Sequence, residues 1–213
     1  MTDVHKPWFV PPRLYPILVP SRIGTGGIGE ICEFAEELVA GGATLIQLRE
    51  KQASAREVLR LARELRRVLP AGVSLILNDR ADLALAAAAD GVHVGQDDIP
   101  PDLTRRIVGR DRIVGLSTHN PEQVREGDHT VADYLAIGPV FATLSKSNPD
   151  PVIGLEGVRQ ARTLTQKPLV AIGGITLENC RSVLEAGADS VAVIHGLLLN
   201  PRKTTAQFLL QMR

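Results

Sequence analysis

The sequence has few aromatic residues, few cysteines and no excess of charge of either sign. Aromatic residues make up 3% of its 213 residues, whereas hydrophobic residues make up 44%, so the core must be largely aliphatic. Lysine plus arginine and aspartate plus glutamate each number 24, which leaves no net charge. A neutral chain gives no bulk electrostatic reason to bind nucleic acid or an anionic membrane, and we expect neither partner.

The sequence also lacks the features that are typical of secreted and membrane-spanning proteins. Its two cysteines, Cys32 and Cys180, form neither a disulfide framework nor a metal-binding spacing, which favours a reducing compartment. No apolar run approaches the length of a transmembrane helix, and residues 1–19 lack the order of regions found in a signal peptide. We therefore expect a cytoplasmic protein.

Short apolar runs alternate with amphipathic stretches along the whole chain. The predicted strands are Tyr15–Val19, Thr44–Leu48, Ser74–Leu77, Gly91–Val94, Arg112–Leu116, Tyr134–Gly138, Leu169–Ile172 and Ser190–Ile194. The eight units average about 27 residues each, which is the length of a βα repeat. This regularity favours a single α/β domain, a closed (β/α)₈ TIM barrel, over a doubly wound open sheet. We expect the domain to cover residues 1–213, with residues 1–12 as an N-terminal extension.

Small residues and aspartates mark the turns that lead into several strands. The pairs Ala89-Asp90, Ala132-Asp133 and Ala188-Asp189 each stand just before a predicted strand, and Ala40–Ala43 carries two glycines at the same point. Glycine can adopt the left-handed conformation that ends a helix. These positions therefore predict turns from helix to strand.

Polar residues follow nearly every predicted strand. They are Gln47–Lys51, Asn78–Arg80, Gly95–Asp98, Ser117–His119, Thr143–Lys146, Gly173-Gly174 and His195-Gly196. The carboxyl ends of barrel strands meet at one rim, where barrel enzymes carry their active sites. The pattern predicts an active site at this rim, with Phe141–Gly154 as an irregular loop beside it.

Three cationic residues are expected at the rim. Arg49 and Lys51 alternate along an extended segment and therefore face the same way. Together with Lys146 they form a set suited to phosphate or diphosphate. The alternative interpretation of Arg49 and Lys51 is an exposed pair that forms salt bridges with Glu50.

Two carboxylates follow neighbouring strands and could bind a metal ion. Asp79 and Asp98, with Asn78 nearby, suit Mg²⁺, which takes few protein ligands and completes its shell with water and phosphate oxygens. The alternative is that each carboxylate caps the helix that follows it. Asp97 competes with Asp98 as the second ligand.

The remaining rim residues predict a phosphate site but no catalytic triad. Gly173-Gly174 follows the seventh strand, at the usual phosphate site of barrels, although such a pair is also common in simple turns. His93 lies within a strand, where a packing role is the usual one. The sequence shows neither an arrangement typical of a Ser-His-Asp catalytic triad nor a spacing typical of zinc ligands.

Taken together, these motifs resemble the thiamine phosphate synthase family. The matching segments are QLREK at Gln47–Lys51, NDRAD at Asn78–Asp82, GVHVGQDD at Gly91–Asp98, GLSTHN at Gly115–Asn120, GPVFATLSK at Gly138–Lys146 and IGGI at Ile172–Ile175. They run in the family's order over about residues 45–195. The resemblance implies a transferase that condenses 4-amino-2-methyl-5-hydroxymethylpyrimidine diphosphate with thiazole phosphate, carboxylated or not. The products would be thiamine phosphate and diphosphate.

The resemblance also implies a role for each matching residue. The pyrimidine diphosphate would be bound by Gln47, Arg49, Lys51, Asn78, Ser117 and Lys146. The thiazole phosphate site would be lined by Thr143, Ser145, Gly174, Ile194 and His195. Further substrate contacts would come from Leu48, Glu50 and Leu144. Asp79 and Asp98 would hold Mg²⁺, and the residues expected to promote the reaction are Arg49, Lys51, Ser117 and Lys146.

The chain departs from the family pattern at three places. Ser145 and His195 stand where the family usually has Thr and Ser, and Leu14–Ser21 lacks the usual Thr-Asp ending of the first strand. Two alternative functions remain at this point. One is a thiazole tautomerase of the related family, with His119 as the candidate rim histidine, and the other is a non-catalytic phosphate-binding barrel. The sequence is compatible with a homo-oligomer.

Overall fold

A computed structural model describes residues 9–25, 27–143 and 150–213. Eight parallel strands form a closed barrel in chain order, and the last strand pairs with the first. The strands are β1 Leu14–Leu18, β2 Leu45–Leu48, β3 Ser74–Asn78, β4 Gly91–Val94, β5 Ile113–Thr118, β6 Tyr134–Ile137, β7 Leu169–Ile172 and β8 Ser190–Val193. The predicted barrel is confirmed, and each predicted strand end lies within two residues of the observed one.

A ring of helices surrounds the barrel. They are α1 Ile28–Ala40, α2 Ala55–Val68, α3 Ala81–Ala86, α4 Pro101–Val108, α5 Pro121–Asp128, α6 Gly154–Leu164, α7 Cys180–Glu185 and α8 Pro201–Gln211. Short 3₁₀ turns follow β1, at Pro20–Arg22, and β8, at His195–Leu197. Within the described ranges, none of the helices combines the length and the apolar character needed to cross a bilayer.

Alternation along the strands divides the core into two layers. In β1, for example, Leu14 and Leu18 belong to the outer layer between strands and helices, whereas Tyr15 and Ile17 belong to the layer inside the barrel. The outer layer is almost wholly aliphatic, and each fully buried Leu, Val or Ile there stabilises the fold by about 1.5–3 kcal/mol. Phe9, from the segment before β1, packs against the inner layer with its ring centroid 5.7 Å from that of Tyr134.

The aspartates that precede three strands hold the amino-terminal end of the barrel together. Each carboxylate accepts a hydrogen bond from an arginine of a preceding helix, at 2.5–3.0 Å, and another from a backbone N–H of the neighbouring strand, at 2.7–2.8 Å. The three clamps of aspartate, arginine and strand residue are Asp90, Arg66 and Leu75; Asp133, Arg105 and Val114; and Asp189, Arg162 and Leu169. Because they recur at every second unit and lie away from the rim, they serve the fold.

The turns after α1, α3 and α7 share a left-handed residue. It is Gly42 with φ 105° after α1, as the glycine pattern at Ala40–Ala43 predicts, and Gly187 with φ 114° after α7. After α3 the same place is taken by Ala88, with φ 52°. A Cβ atom is unfavourable in this conformation, so Ala88 carries strain that its two counterparts avoid.

We expect Ala88→Gly to stabilise the protein. Removing the Cβ relieves the left-handed strain, which outweighs the extra freedom of the unfolded chain, so the free energy of unfolding should rise by about 0.5–1 kcal/mol. Urea denaturation measures the change. The matched control is Ala86→Gly, an exposed position in α3, which should lower stability by about 0.5–1 kcal/mol. Equal losses in both variants would show that the turn carries no strain.

Candidate active site

A cavity of about 760 Å³ opens at the carboxyl-terminal rim of the barrel. It is lined by residues from the ends of all eight strands, as expected for a barrel enzyme. Eleven of the predicted site residues line it: Gln47, Arg49, Lys51, Asn78, Asp79, Asp98, Ser117, Thr143, Gly174, Ile194 and His195. Leu144, Ser145 and Lys146 lie outside the described residues.

Two residues of the QLREK segment lie outside the cavity lining. The Leu48 side chain is buried in the outer layer of the core, between strands and helices. The Glu50 carboxylate accepts hydrogen bonds from the backbone N–H groups of Gln52, at 2.7 Å, and Ala53, at 3.2 Å. The side chains of these two residues therefore contact the core and the loop before α2, and neither residue is part of the cavity lining.

The cationic corner of the cavity lies beside the two acidic residues. The Nζ atom of Lys51 is 3.0 Å from the Oδ2 atom of Asp79, so Lys51 pairs with the proposed metal ligand and Glu50 serves the local loop. Arg49, two residues before Lys51, also lines the cavity. The Nδ2 atom of Asn78 is buried and has no hydrogen-bond partner among the described residues. A buried amide donor without a partner is costly in a bare protein and indicates that a ligand accepts from it.

Asp79 occupies an unusual backbone turn at the end of β3. Its φ is 62°, and the N–H of Arg80 donates to the carbonyl of Asn78 at 2.8 Å across it, which makes a γ-turn of the rare positive-φ kind. A non-glycine residue in this region costs about 1–3 kcal/mol, and such strain is concentrated at functional sites. The turn directs the Asp79 side chain into the cavity.

Asp79 and Asp98 meet, and neither caps a helix. No side-chain cap is found at the start of α3 or α4; the Asp98 carboxylate instead accepts from the backbone N–H of Gly95 at 2.7 Å. Burial raises the pKa of the Asp79 carboxyl, a hydrogen bond with Asp98 raises it further, and Lys51 acts in the opposite direction. Two carboxylates brought together in this way have an unfavourable interaction that a cation would relieve.

The acidic pair has the composition of a magnesium site. No cluster of three or more histidine, cysteine, aspartate or glutamate side chains suited to a metal occurs in the part of the chain that the structure describes. Mg²⁺ is commonly bound through one or two carboxylates, with water and substrate phosphate completing its octahedral shell. Asp79 and Asp98, beside a cavity with a cationic corner, fit this ion.

The opposite side of the cavity is formed by the loops after β6, β7 and β8. Gly173 and Gly174 have φ of 102° and 63°, and a Cβ on Gly174 would lie 2.5 Å from the carbonyl oxygen of Ala142. Both glycines are therefore required by close packing as well as by their conformation. His195 starts the turn after β8, and its Nε2 atom contacts the guanidinium of Arg22, from the turn after β1. Burial and the charge of Arg22 lower the pKa of His195.

Five polar residues inside the barrel, four of which line the cavity, form a continuous hydrogen-bond chain, hereafter the interior chain. The bonds run from Gln47 Nε2 to the Tyr15 hydroxyl (3.0 Å), to the Tyr134 hydroxyl (3.0 Å), to His93 Nδ1 (2.8 Å), and from His93 Nε2 to Ser117 Oγ (2.8 Å). Burial lowers the pKa of His93 to about 4 and raises that of both tyrosines. Sequence analysis predicted packing for His93 and did not single out the tyrosines.

The interior chain depends on a glycine in the neighbouring strand. His93 of β4, Gly115 of β5 and Tyr134 of β6 lie side by side in the sheet register. A Cβ on Gly115 would lie 2.1 Å from Tyr134 Cζ and 2.5 Å from His93 Nδ1. The glycine therefore provides the space in which the two rings stack, with centroids 5.5 Å apart.

His119 lies at the rim but is bound by its surroundings. Its Nδ1 atom is 2.7 Å from the carbonyl oxygen of Gly138, to which it donates, and 3.5 Å from the Oδ2 atom of Asp150. Its backbone N–H donates to the side-chain oxygen of Gln123 at 2.8 Å. These contacts orient the ring along the loop after β6.

Comparisons with known proteins agree with the geometry. A family model described as thiamine monophosphate synthase matches residues 14–197. A thiamine-phosphate synthase of Koribacter versatilis is 60% identical over 199 residues, covering 93% of this chain and 94% of that protein. Another, of Syntrophomonas wolfei, is 46% identical over 169 residues, covering 79% of this chain and 81% of that protein. The solved structure of thiamine phosphate pyrophosphorylase from Pyrococcus furiosus is 35% identical, with a TM-score of 0.83 over 94% of this chain and 95% of that one.

We expect Asp98→Asn to stabilise the metal-free protein and to weaken its response to Mg²⁺. The amide can still accept from the Gly95 N–H, but the repulsion of Asp79 is removed, so the free energy of unfolding in EDTA should rise by about 1 kcal/mol. Added Mg²⁺ should stabilise the wild type and have less effect on the variant. Urea denaturation with and without Mg²⁺ measures both effects.

The control for this experiment is Asp97→Asn, because Asp97 is exposed and adjoins Asp98 in the chain. It should change neither the stability in EDTA nor the response to Mg²⁺. If Asp97→Asn abolishes the response and Asp98→Asn preserves it, the ligand assignment is wrong.

Proposed function

The chain belongs to the thiamine monophosphate synthase family, and we propose that its rim residues divide the reaction between a diphosphate side and a thiazole side. The enzyme is a transferase that makes thiamine phosphate. We favour this activity over the two alternative functions considered from the sequence, a thiazole tautomerase and a non-catalytic phosphate-binding barrel. The two substrates are the aminopyrimidine diphosphate and thiazole phosphate. The assignment of the diphosphate side rests on one observation: Asn78, Lys51, Asp79 and Asp98 lie together at one corner of the cavity.

The diphosphate of the pyrimidine substrate binds in this corner. Arg49 provides a planar fork of donors, and Lys51 provides a compact charge on a flexible stem. The buried Nδ2 atom of Asn78 gains the acceptor that it lacks among the described residues. Lys146, which the family resemblance assigns to the same substrate, completes the set. These interactions strengthen as negative charge grows on the departing group, so they favour the transition state.

Asp79 and Asp98 would hold Mg²⁺ in this corner. The ion would neutralise part of the diphosphate charge while it is bound. The raised pKa of Asp79 and the cationic neighbours of the pair support this assignment. Lys51, which contacts Asp79 in the free protein, would then become available to the substrate oxygens.

The reaction proposed here needs no nucleophile from the protein. The bond between the pyrimidine methylene carbon and the diphosphate oxygen breaks, and its electron pair leaves with the diphosphate. The aminopyrimidine ring spreads the positive charge of the methylene, and the thiazole nitrogen then forms the new bond with that carbon. Arg49, Lys51 and Lys146 stabilise the leaving group, while Ser117 and Gln47 orient the ring. Alignment of the two substrates and exclusion of water provide the rest of the rate enhancement.

The thiazole phosphate occupies the side formed by the loops after β6, β7 and β8. The glycines Gly173 and Gly174 allow its phosphate to approach the backbone, as at other barrel phosphate sites. Thr143, Ile194 and His195 line this side, and the resemblance adds Leu144 and Ser145. A cytoplasmic location is part of the proposal, because Cys32 and Cys180 are buried free thiols, the state that a reducing compartment maintains.

We expect Lys146→Ala to lower turnover more than it weakens the binding of thiazole phosphate. Loss of one cation that stabilises the leaving group should cost roughly 10²-fold in kcat. The assay couples both substrates in the presence of Mg²⁺ and follows the release of diphosphate. Lys203→Ala, in the exposed part of α8, is the control and should retain full activity.

A second assay measures isomerisation of the thiazole alone and separates the synthase from the related tautomerase. If the wild type isomerises the thiazole and never releases diphosphate, the proposed function is wrong. If it couples the substrates and Lys146→Ala does so at the same rate, only the role of Lys146 is wrong.

We expect His195→Ser to change mainly the affinity for thiazole phosphate. The shorter side chain loses one hydrogen bond of about 1 kcal/mol, so the KM for this substrate should rise roughly fivefold while kcat stays within about twofold. The exposed residue His129 offers the control variant His129→Ser, which should leave both constants unchanged. A collapse of kcat with an unchanged KM would instead assign His195 to proton transfer.

A further inference from the structure

The interior chain joins two groups that line the cavity. Gln47 begins it on β2 and Ser117 ends it on β5, and both residues line the cavity. The three residues between them are almost completely enclosed, since Tyr15, Tyr134 and His93 expose 1%, 0% and 7% of their surface. The hydroxyl groups of the two tyrosines and both ring nitrogens of His93 are paired within the chain.

The direction of the hydrogen bonds follows from the first of them. Gln47 donates from its amide nitrogen to the Tyr15 hydroxyl oxygen, so the single Tyr15 proton is available to the Tyr134 oxygen. The Tyr134 proton is in turn available to His93 Nδ1, which accepts it. A ring that accepts at Nδ1 carries its proton at Nε2 and donates to Ser117 Oγ.

This direction fixes what the two ends offer to a ligand. The amide nitrogen of Gln47 is turned towards Tyr15, so the amide oxygen is the atom with which Gln47 accepts from a ligand. Ser117 accepts from His93, so its own proton is the donor available to the cavity. On an ordinary surface, a glutamine or serine side chain can rotate to present either a hydrogen-bond donor or an acceptor. Here, an exchange of donor and acceptor at Gln47 requires the opposite exchange at Ser117, because the hydrogen bonds between them are connected.

We propose that Tyr15, Tyr134 and His93 are positioning residues that set this polarity and thereby select an aminopyrimidine over its oxo analogue. The inference rests on the proposed function, in which Gln47 and Ser117 orient the pyrimidine. A 4-amino group donates and the adjacent ring nitrogen accepts, which matches an accepting Gln47 and a donating Ser117. The 4-oxo analogue presents the reverse pattern and leaves buried polar groups unpaired.

The first test uses the unmodified protein and reads the direction of the chain from the tautomer of His93. Nitrogen NMR of the ¹⁵N-labelled protein, with the His93 signals identified by their loss in His93→Gln, should show a protonated Nε2 and an accepting Nδ1. The opposite tautomer, with Nδ1 protonated, overturns the proposal.

The second test measures the dissociation constants of the 4-amino and 4-oxo pyrimidine diphosphates by calorimetry, without thiazole phosphate. The wild type should prefer the amino form at least roughly 100-fold. Tyr15→Phe keeps the ring and releases the Gln47 amide, so the preference should fall at least roughly tenfold, through weaker binding of the amino form and tighter binding of the oxo form. Tyr134→Phe should have a similar effect, and the double variant should add little, because both changes break one chain.

Ser190→Ala is the matched control, because the Ser190 hydroxyl is buried in β8 and has no partner among the described residues. It should leave the preference unchanged. If Tyr15→Phe weakens the binding of both analogues by the same factor, the tyrosine has a purely structural role and the proposal is wrong. Release of diphosphate by the wild type with both substrates tests the proposed function separately, so the two failures are distinguishable.

Discussion

The parallel pairing of β8 with β1 is the constraint on which the rest of the structure depends. Closure gives every strand two neighbours and leaves no open edge, and it brings all eight carboxyl ends to one rim. Residues that are far apart in the chain, such as Arg22 after β1 and His195 after β8, thereby come into contact. The cavity exists because the polar strand ends face a common space above a filled interior.

The filling of that interior is the second requirement. An aliphatic interior would satisfy packing alone, but this barrel buries an amide, two phenols and an imidazole and joins them to the half-buried hydroxyl of Ser117 in one connected chain. Such a network is stable only when every member is satisfied, since a single missing partner leaves a buried polar group unpaired. The network also requires Gly115, because any side chain at this position would displace the rings of Tyr134 and His93.

The sequence predicted the barrel and most of the rim because both depend on local patterns. Gly91–Val94 and Leu169–Ile172 were predicted with their observed ends. Leu169–Ile172 is a continuous apolar run, as is usual for a buried parallel strand, and Gly91–Val94 departs from that pattern only at His93. Alternation also explains the QLREK segment: Gln47, Arg49 and Lys51 line the cavity, whereas Leu48 and Glu50, at the intervening positions, do not. The resemblance alone did not make this distinction, although the two-residue period could have done so.

What the sequence could not predict depends on contacts between distant segments. Tyr15 and Tyr134 are the only tyrosines of the chain, and both were assigned to strands, but nothing local indicates that their hydroxyls meet across the barrel. Arg22 was missed for the same reason, since its partner His195 is 173 residues away. The alternative of helix caps for Asp79 and Asp98 was reasonable from position alone. It is wrong because α3 and α4 have no side-chain cap: Asp79 pairs with Lys51, and Asp98 accepts from the Gly95 N–H.

The two ends of the barrel differ in their redundancy. The amino-terminal end is held by three copies of the same aspartate–arginine clamp, so the loss of one leaves two others in place. Among the described residues of the rim, the functional side chains come from different strand ends and make different contacts, as Lys51 does with Asp79 and Asp98 with the Gly95 N–H. A random substitution at the amino-terminal end should therefore have a small effect on stability, whereas one at the rim should directly lower activity. Drift in this chain is thus expected to erode activity well before it erodes the fold.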